Sequence, residues 1–362
     1  MLIIDGHEDI AYNMLSFGRD YTRSATETRA FEASNKQARA AMGACMLGLP
    51  EWLGGNVGIL FGTLFAMPAR RAPSVTGTGD ATPGYTTPQE ACDQGMRQLD
   101  VYYRLADENP RFALVRDHKE LAAVLATWKD GAPPEKRQVG LVVLMEGADP
   151  IVKPQDLERW YERGLRIVGP AWVAGTRYAG GNASGGPLTD DGIQLLRMMM
   201  DFNMVLDVSH LAEQACLQAI DRYDGPVIAS HSNPRALVSG DRQLSDDMIM
   251  RLLERDGVTG ILPINSMLKK GWQRGDRKDA VTVADVAAAM DYVCQLAGDA
   301  QHVAIGTDFD GGFGAESTPA ELDTIADLPK IAGALKARGY TEADIEAIMG
   351  GNWLRILRRA LP

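Results

Sequence analysis

The chain carries only five histidines, and three of them stand directly after short apolar runs. His7 lies in Asp5-Gly6-His7-Glu8-Asp9, His210 in Leu206-Asp207-Val208-Ser209-His210, and His231 in Ile228-Ala229-Ser230-His231-Ser232-Asn233. Two carboxylates share this placement: Glu146 closes Leu144-Met145-Glu146-Gly147, and Asp308 follows Ile305-Gly306-Thr307. A carboxylate straight after a buried run must be solvated, paired or bound to a cation. Any one of these residues could cap a strand; so many on one rim point to a metal centre. In His7-x-Asp9 the side chains are two apart on an extended segment, point the same way and can grip one ion. His210 and His231, from neighbouring runs, can hold a second ion, and Glu146 can bridge the two. Three imidazoles with carboxylates suit zinc or a similar divalent metal better than magnesium or calcium. His118, in the charged Arg116-Asp117-His118-Lys119, and His302, ahead of the last run, read as structural.

Gathering these residues requires elements that bring many strand ends to one face. Eight apolar runs of strand length recur: Leu2–Ile4, Val57–Phe65, Val139–Met145, Arg166–Val168, Met204–Val208, Val227–Ala229, Val258–Ile264 and Val303–Ile305. Most are continuously apolar, as strands buried on both faces of a parallel sheet are. Helical segments separate them. One opens at Thr189-Asp190-Asp191 and runs toward Phe202, and one follows His210-Leu211 and stops at Gly225-Pro226. Others start at Ser245-Asp246-Asp247 and at Thr282, the last running to Gly298. Strands alternating with helices predict an α/β architecture, and eight units favour a (β/α)8 TIM-like barrel with its active site at the C-terminal ends of the strands. A barrel can occupy the whole chain, so one domain over 1–362 is expected. A Gly-, Pro-, Ser- and Thr-rich insertion at about 69–88 reads either as a solvated linker or as a loop shaping the mouth of the site. The run Gly180-Gly181-Asn182-Ala183-Ser184-Gly185-Gly186 lacks the Gly-Lys-Ser/Thr ending of a phosphate loop and reads as a mobile loop near that mouth.

Composition narrows the partners. Against 37 Lys and Arg stand 48 Asp and Glu, a formal charge of −11, with no Lys/Arg-rich run. That excludes nucleic acid and anionic membrane as partners and suits small molecules or cations. With 45% apolar and 23% charged residues the chain is an ordinary globular one. No stretch approaches the roughly 18 continuous apolar residues of a membrane span, and Met1–His7 lacks the basic region and longer apolar run of a signal peptide. Cys45, Cys92, Cys216 and Cys294 each stand alone inside a stretch that reads as helical, as buried thiols of a reducing compartment do. A cytoplasmic location is expected.

The motifs, in this order and at these strand ends, resemble the membrane dipeptidase (renal dipeptidase) family of zinc peptidases, within the metal-dependent amidohydrolase superfamily. The resemblance runs from the first strand to the last helix. It rests on Asp5-Gly6-His7-x-Asp9, Glu146-Gly147, Asp207-x-Ser209-His210, Ser230-His231-Ser232-Asn233, Arg242, Gly306-Thr307-Asp308-Phe309-Asp310-Gly311 and the closing Gly350-Gly351-Asn352-Trp353-Leu354-Arg355. It implies a binuclear zinc site on a (β/α)8 barrel, with His7, Asp9 and Glu146 on one ion and Glu146, His210 and His231 on the other. It further implies proton transfer by Asp308, capture of the substrate's carboxylate by Arg242, and hydrolysis of free dipeptides by a hydroxide bridging the ions. Two zinc ions lower the pKa of a bridging water enough to supply hydroxide near neutral pH. A guanidinium can grip a terminal carboxylate bidentately, which would measure substrate length. Relatives often pair, so a homodimer is compatible with the resemblance, although no segment singles out an interface.

Two departures stand out. Glu8 occupies the place of the family's usual Asn, where it either adds charge to the site or turns away into a structural pair. Trp172, in Gly169-Pro170-Ala171-Trp172, replaces a histidine that the family uses on the substrate carbonyl; an indole can donate one hydrogen bond but cannot titrate. Tyr178 or Arg177, slightly further along, is a candidate for the missing donor. Two other readings remain: another amide or lactam hydrolase on the same metals, and a non-catalytic binding protein retaining the barrel.

Overall fold

In the computed structural model, which describes residues 1–34, 36–69 and 84–362 (backbone only at 36–38), all eight expected runs are parallel strands. In chain order the strands are β1 (Ile3–Glu8), β2 (Val57–Phe65), β3 (Phe112–Leu114), β4 (Val139–Glu146), β5 (Leu165–Gly169), β6 (Val205–Asp207), β7 (Val227–Ala229), β8 (Val258–Ile261) and β9 (Val303–Ile305). Their order is β2-β1-β9-β8-β7-β6-β5-β4, and pairing of β2 with β4 closes the ring into an eight-stranded barrel surrounded by helices. The strand not foreseen, β3, runs beside the first residues of β4, with Phe112 opposite Val139. Most of the expected insertion, residues 70–83, lies outside the described residues; its ends meet where Pro68 bridges Tyr85.

Alternation along β4 shows how the barrel aims its chemistry. Leu141, Val143 and Met145 pack outward among the helices, while Val142 and Leu144 pack inward with Ile4, Phe61, Ile167, Val205 and Ile228. Glu146 continues the inward series and emerges at the C-terminal rim. The other end of the barrel is plugged by the C-terminal helix Asn352–Ala360. Trp353 donates its indole N–H to the Ile305 carbonyl at 2.7 Å and packs on Phe61, while the Asn352 amide donates to the carbonyls of Ala300 and Val303. An apolar side chain buried in this way contributes about 1.5–3 kcal/mol.

The outer helices begin as their sequences direct. Thr189, Ser245 and Thr282 cap helices Asp190–Asp201, Asp246–Glu254 and Val283–Ala297, the last ending at Gly298 in the left-handed conformation. Cys92, Cys216 and Cys294 lie in helices, but Cys45 does not. Gly43, at φ 69°, ends helix Lys36–Met42, and the Cys45 thiol faces Asp310 from an irregular segment.

Candidate metal centre and active site

One oxygen organises the rim. Glu146 Oε1 lies 3.6 Å from His7 Nε2, 3.0 Å from His210 Nε2 and 3.4 Å from His231 Nε2. The Nε2 atoms of His210 and His231 are 3.0 Å apart, and the rings of His7 and His231 stack at 3.7 Å. Asp9 and Asp308 approach from the other side, their Oδ1 atoms 4.0 and 3.9 Å from His7 Nε2. The ligand atoms fall into two overlapping groups, His7–Glu146–His231 and His7–Asp9–Asp308, each compact enough to surround an ion. Nε2 of His7 is buried without a hydrogen-bond partner. A buried nitrogen of that kind is costly unless something accepts its lone pair.

Residues behind the cluster dictate which nitrogens face it. The Ser230 hydroxyl donates to Asp207 Oδ2 at 2.6 Å, which leaves its oxygen to accept N–H from His231 Nδ1 at 2.8 Å and His7 Nδ1 at 3.2 Å. Asn182 Oδ1 lies 3.1 Å from His210 Nδ1 and accepts its proton in the same way. Each imidazole is thereby directed to hold a proton on Nδ1 and to present Nε2 to the cluster, the orientation metal-binding histidines take. The Thr63 hydroxyl donates to Asp9. Adjacent parallel strands β6 and β7 make the Asp207–Ser230 contact by their register, with Asp207 opposite Ile228.

The charge balance calls for a cation. Burial alone would lower the His7 imidazole, but the carboxylates of Glu146, Asp308 and Asp9 together hold it up at about 9. Burial would raise Glu146, yet the three imidazoles outweigh it and hold the carboxyl well below the usual range. Burial, reinforced by Glu146, pushes Asp9 up to about 6. Burial also lifts Asp308 well above the ordinary range; His7 opposes this, while Asp9 and Glu146 add to it. Burial, with Arg242 adding, lowers His210 to about 4; burial, His7 and Arg242 hold His231 well below the usual imidazole range. Two imidazoles kept neutral, and a third whose extra proton is held only by the crowded carboxylates, fit a site that binds divalent metal in that proton's place.

The remaining expected residues divide. Arg242 reaches the cluster from the β7 side, donating to the His231 carbonyl at 2.6 Å and to the Ser232 hydroxyl at 2.9 Å. Trp172 lines a cavity of about 370 Å³ together with Asp9, Glu146, His210 and Asp308. Tyr178 is not brought to the site: the backbone turns back at the Ala179–Leu188 bridge, and the phenol is buried donating to the Ile151 carbonyl. Arg177 is likewise directed away, toward Asp149 and the Val152 carbonyl. Glu8 turns from the cluster and accepts from the Trp52 indole at 3.0 Å; burial, then Asp5, raises its carboxyl well above the usual range.

Of the glycine-rich segment expected to be mobile, Gly180 to Asn182 is packed, while Ala183, Ser184 and Gly185 are exposed. A Cβ on Gly181 would collide with the Trp172 carbonyl and the Gly175 amide, and Asn182 N–H donates to the His210 carbonyl at 2.8 Å. These glycines permit close backbone approach, and the segment carries the acceptor that orients His210. Sequence reasoning gave no role to Asn182, Ser230, Asp207 or Thr63. A serine before the histidine and an aspartate at the neighbouring strand's end were the available signals for Ser230 and Asp207.

Residues 1–361 match the model of one family, described as membrane dipeptidase (peptidase family M19). Among characterised and uncharacterised relatives, an uncharacterized protein from the pqqA 5′ region of Klebsiella pneumoniae is 32% identical over 233 residues, covering 62% of this chain and 83% of that one. Dipeptidase aclJ of Aspergillus oryzae is 26% identical across 98% of this chain and 77% of its own length. Among solved structures, a metallo peptidase from Rhodobacter sphaeroides, liganded with a phosphinate mimic of the dipeptide L-Ala-D-Ala, superposes with a TM-score of 0.79. It is 23% identical and the match covers 99% of both chains, a likeness of fold.

Proposed function

We propose, from the premise that this chain belongs to the membrane dipeptidase family, that it is a metal-dependent dipeptidase using two divalent ions, zinc by the chemistry of the donors. The observation that carries this reading is the meeting of three Nε2 atoms on one oxygen of Glu146, with Asp9 and Asp308 across from them. His7, Asp9 and Glu146 would hold one ion, and Glu146, His210 and His231 the other. Bound there, the ions would activate water and polarise the scissile carbonyl. Asp308, on the rim beside His7, takes the water's proton and returns it to the leaving amine. Arg242, steadied by the His231 carbonyl and Ser232, grips the terminal carboxylate of a free dipeptide bidentately.

Among the described residues no helix is long and apolar enough to cross a membrane. All four cysteines are buried free thiols, which supports a cytoplasmic location. The test is a hydrolysis screen of metal-loaded protein over dipeptides with L- and D- C-terminal residues and over their C-terminal amides. Activity is expected on some free dipeptides and almost none on the amides. Equal rates on acid and amide would remove the role of Arg242. Failure on every dipeptide would remove the reading itself.

A further inference from the structure

The cavity over the metal cluster has two unlike walls. One carries Asp9, Glu146, Asp308 and His210; the other is built of Tyr12, Phe17, Met42, Phe65, Met67 and Trp172. Among the described lining residues, the only acidic or basic side chains besides the neutral His210 are the three carboxylates of the cluster. The apolar wall is a locked aromatic series. Tyr12 packs on Phe65 at 5.2 Å and 75°, and Phe65 on Trp172 at 4.8 Å and 60°. Edge-on and tilted contacts of this kind hold rings in place without mobile polar groups. At about 370 Å³ the space is at the small end for a ligand site, suited to one side chain and its backbone.

We infer that this wall receives the side chain of the substrate's amino-terminal residue and selects large apolar ones, an assignment that rests on the dipeptidase reading. The direction follows from the position of Arg242. It enters on the β7 side, bonded to His231 and Ser232, and does not line the cavity. A dipeptide with its carboxylate on Arg242 and its peptide bond at the cluster must extend its first residue the opposite way. That is the β1, β2 and β5 side, where Tyr12, Phe65 and Trp172 stand. A leucine, methionine or phenylalanine side chain there leaves water for an apolar surface, whereas a lysine or aspartate loses hydration and meets no opposite charge on that wall. Trp172 closes the wall with its ring packed on Phe65.

The experiment compares kcat/KM of the metal-loaded full chain on Gly-Ala, Leu-Ala, Phe-Ala, Lys-Ala and Asp-Ala. The same series is run on Met67→Glu, which places a carboxylate in the apolar wall. For the unsubstituted chain, Leu-Ala and Phe-Ala should exceed Gly-Ala by about 10- to 100-fold, and Lys-Ala and Asp-Ala by at least as much. Met67→Glu should lower Leu-Ala by about 10-fold and raise Lys-Ala relative to it. Calorimetry with phosphinate analogues of Leu-Ala and Lys-Ala gives the same ranking without turnover, so a poorly folding variant does not decide the matter. Rates within threefold across the series, or equal affinity of the unsubstituted chain for the phosphinate analogues of Leu-Ala and Lys-Ala, would overturn the pocket while leaving the dipeptidase reading standing. If no dipeptide is hydrolysed and no phosphinate binds, the dipeptidase reading falls and the pocket with it.

Discussion

Asp308 has a backbone φ of 52° and Asp310 one of 64°, a left-handed conformation that costs a non-glycine residue energy and persists only where the surroundings enforce it. The backbone N–H of Asp308 donates to the His7 carbonyl at 3.0 Å, and a Cβ on Gly311 would overlap the Asp308 carboxylate. The backbone of Asp308 is thus set by its main-chain partners, and a change confined to its side-chain chemistry should leave the site assembled. Asp308→Asn is expected to retain two metals per chain by elemental analysis while kcat falls by about 10²- to 10⁴-fold; normal turnover would remove it as proton carrier. Ser230→Ala acts differently. It takes away the shared acceptor that orients His7 and His231, and metal affinity should drop about 10- to 100-fold in chelator competition, while Ser230→Thr, which keeps the hydroxyl, should recover most of it. An unchanged affinity in Ser230→Ala would mean that packing alone orients the rings. The sequence made the first of these residues legible because a carboxylate at a strand end is conspicuous. Ser230 stands before His231 in plain view, but its role as shared acceptor arises only from the register of two strands.

At the scale of elements, apolar runs flanked by caps made the eight barrel strands readable, since burial on both faces leaves a continuous signature. The strand that escaped, Phe112–Leu114, is three residues long and pairs only with the start of β4, too short for any period to register. Tyr178 and the packed start of the glycine run, Gly180 to Asn182, were misplaced for a common reason: spacing says how far a residue lies from a strand end, not where the backbone turns. What holds the loop after β9 was equally invisible. Asp310 receives the Arg19 guanidinium at 2.9 Å, the Tyr21 hydroxyl at 3.0 Å and the Met46 amide at 2.9 Å. Arg19 also pairs with Glu32 at 2.7 Å, all of it buried. This network ties the N-terminal helices to the loop that presents Asp308. Removing one partner leaves the others buried and unpaired, so Arg19→Ala should lose roughly 3–5 kcal/mol in denaturant unfolding. A loss below about 1 kcal/mol, the range of exposed pairs, would show the network to be dispensable.

For the whole molecule, the cluster joins distant parts of the chain: His7 on β1, Glu146 on β4, His210 and His231 after β6 and β7, and Asp308 after β9. Asp5 adds a direct tie between first and last strands, accepting from Thr307 N–H at 2.8 Å and from its hydroxyl at 2.5 Å. Ions held there would bind only the closed barrel, because no unfolded chain assembles ligands so far apart. Ligand binding of that kind stabilises the folded state by about 2.7 kcal/mol when free metal is a hundred times Kd. With an unfolding entropy of about 2.1 cal/mol/K per residue, that corresponds to a Tm shift of roughly 3–4 °C for a chain of 362 residues. The chelated protein is left with Asp9, Glu146 and Asp308 crowded together, so the fall on metal removal should be at least that large. Because the ligands come from both halves of the barrel, the loss should appear as a shift of one cooperative transition, as expected of a single domain over 1–362. A transition split in two, with one part unaffected by chelator, would contradict that organisation. The metal-dependent part should shrink as pH falls, since protons compete for the imidazoles and carboxylates and metal affinity declines. Melting curves with and without chelator at a series of pH values test the sign: a gap that widens toward acid would mean that the stabilising ion is not held by these residues.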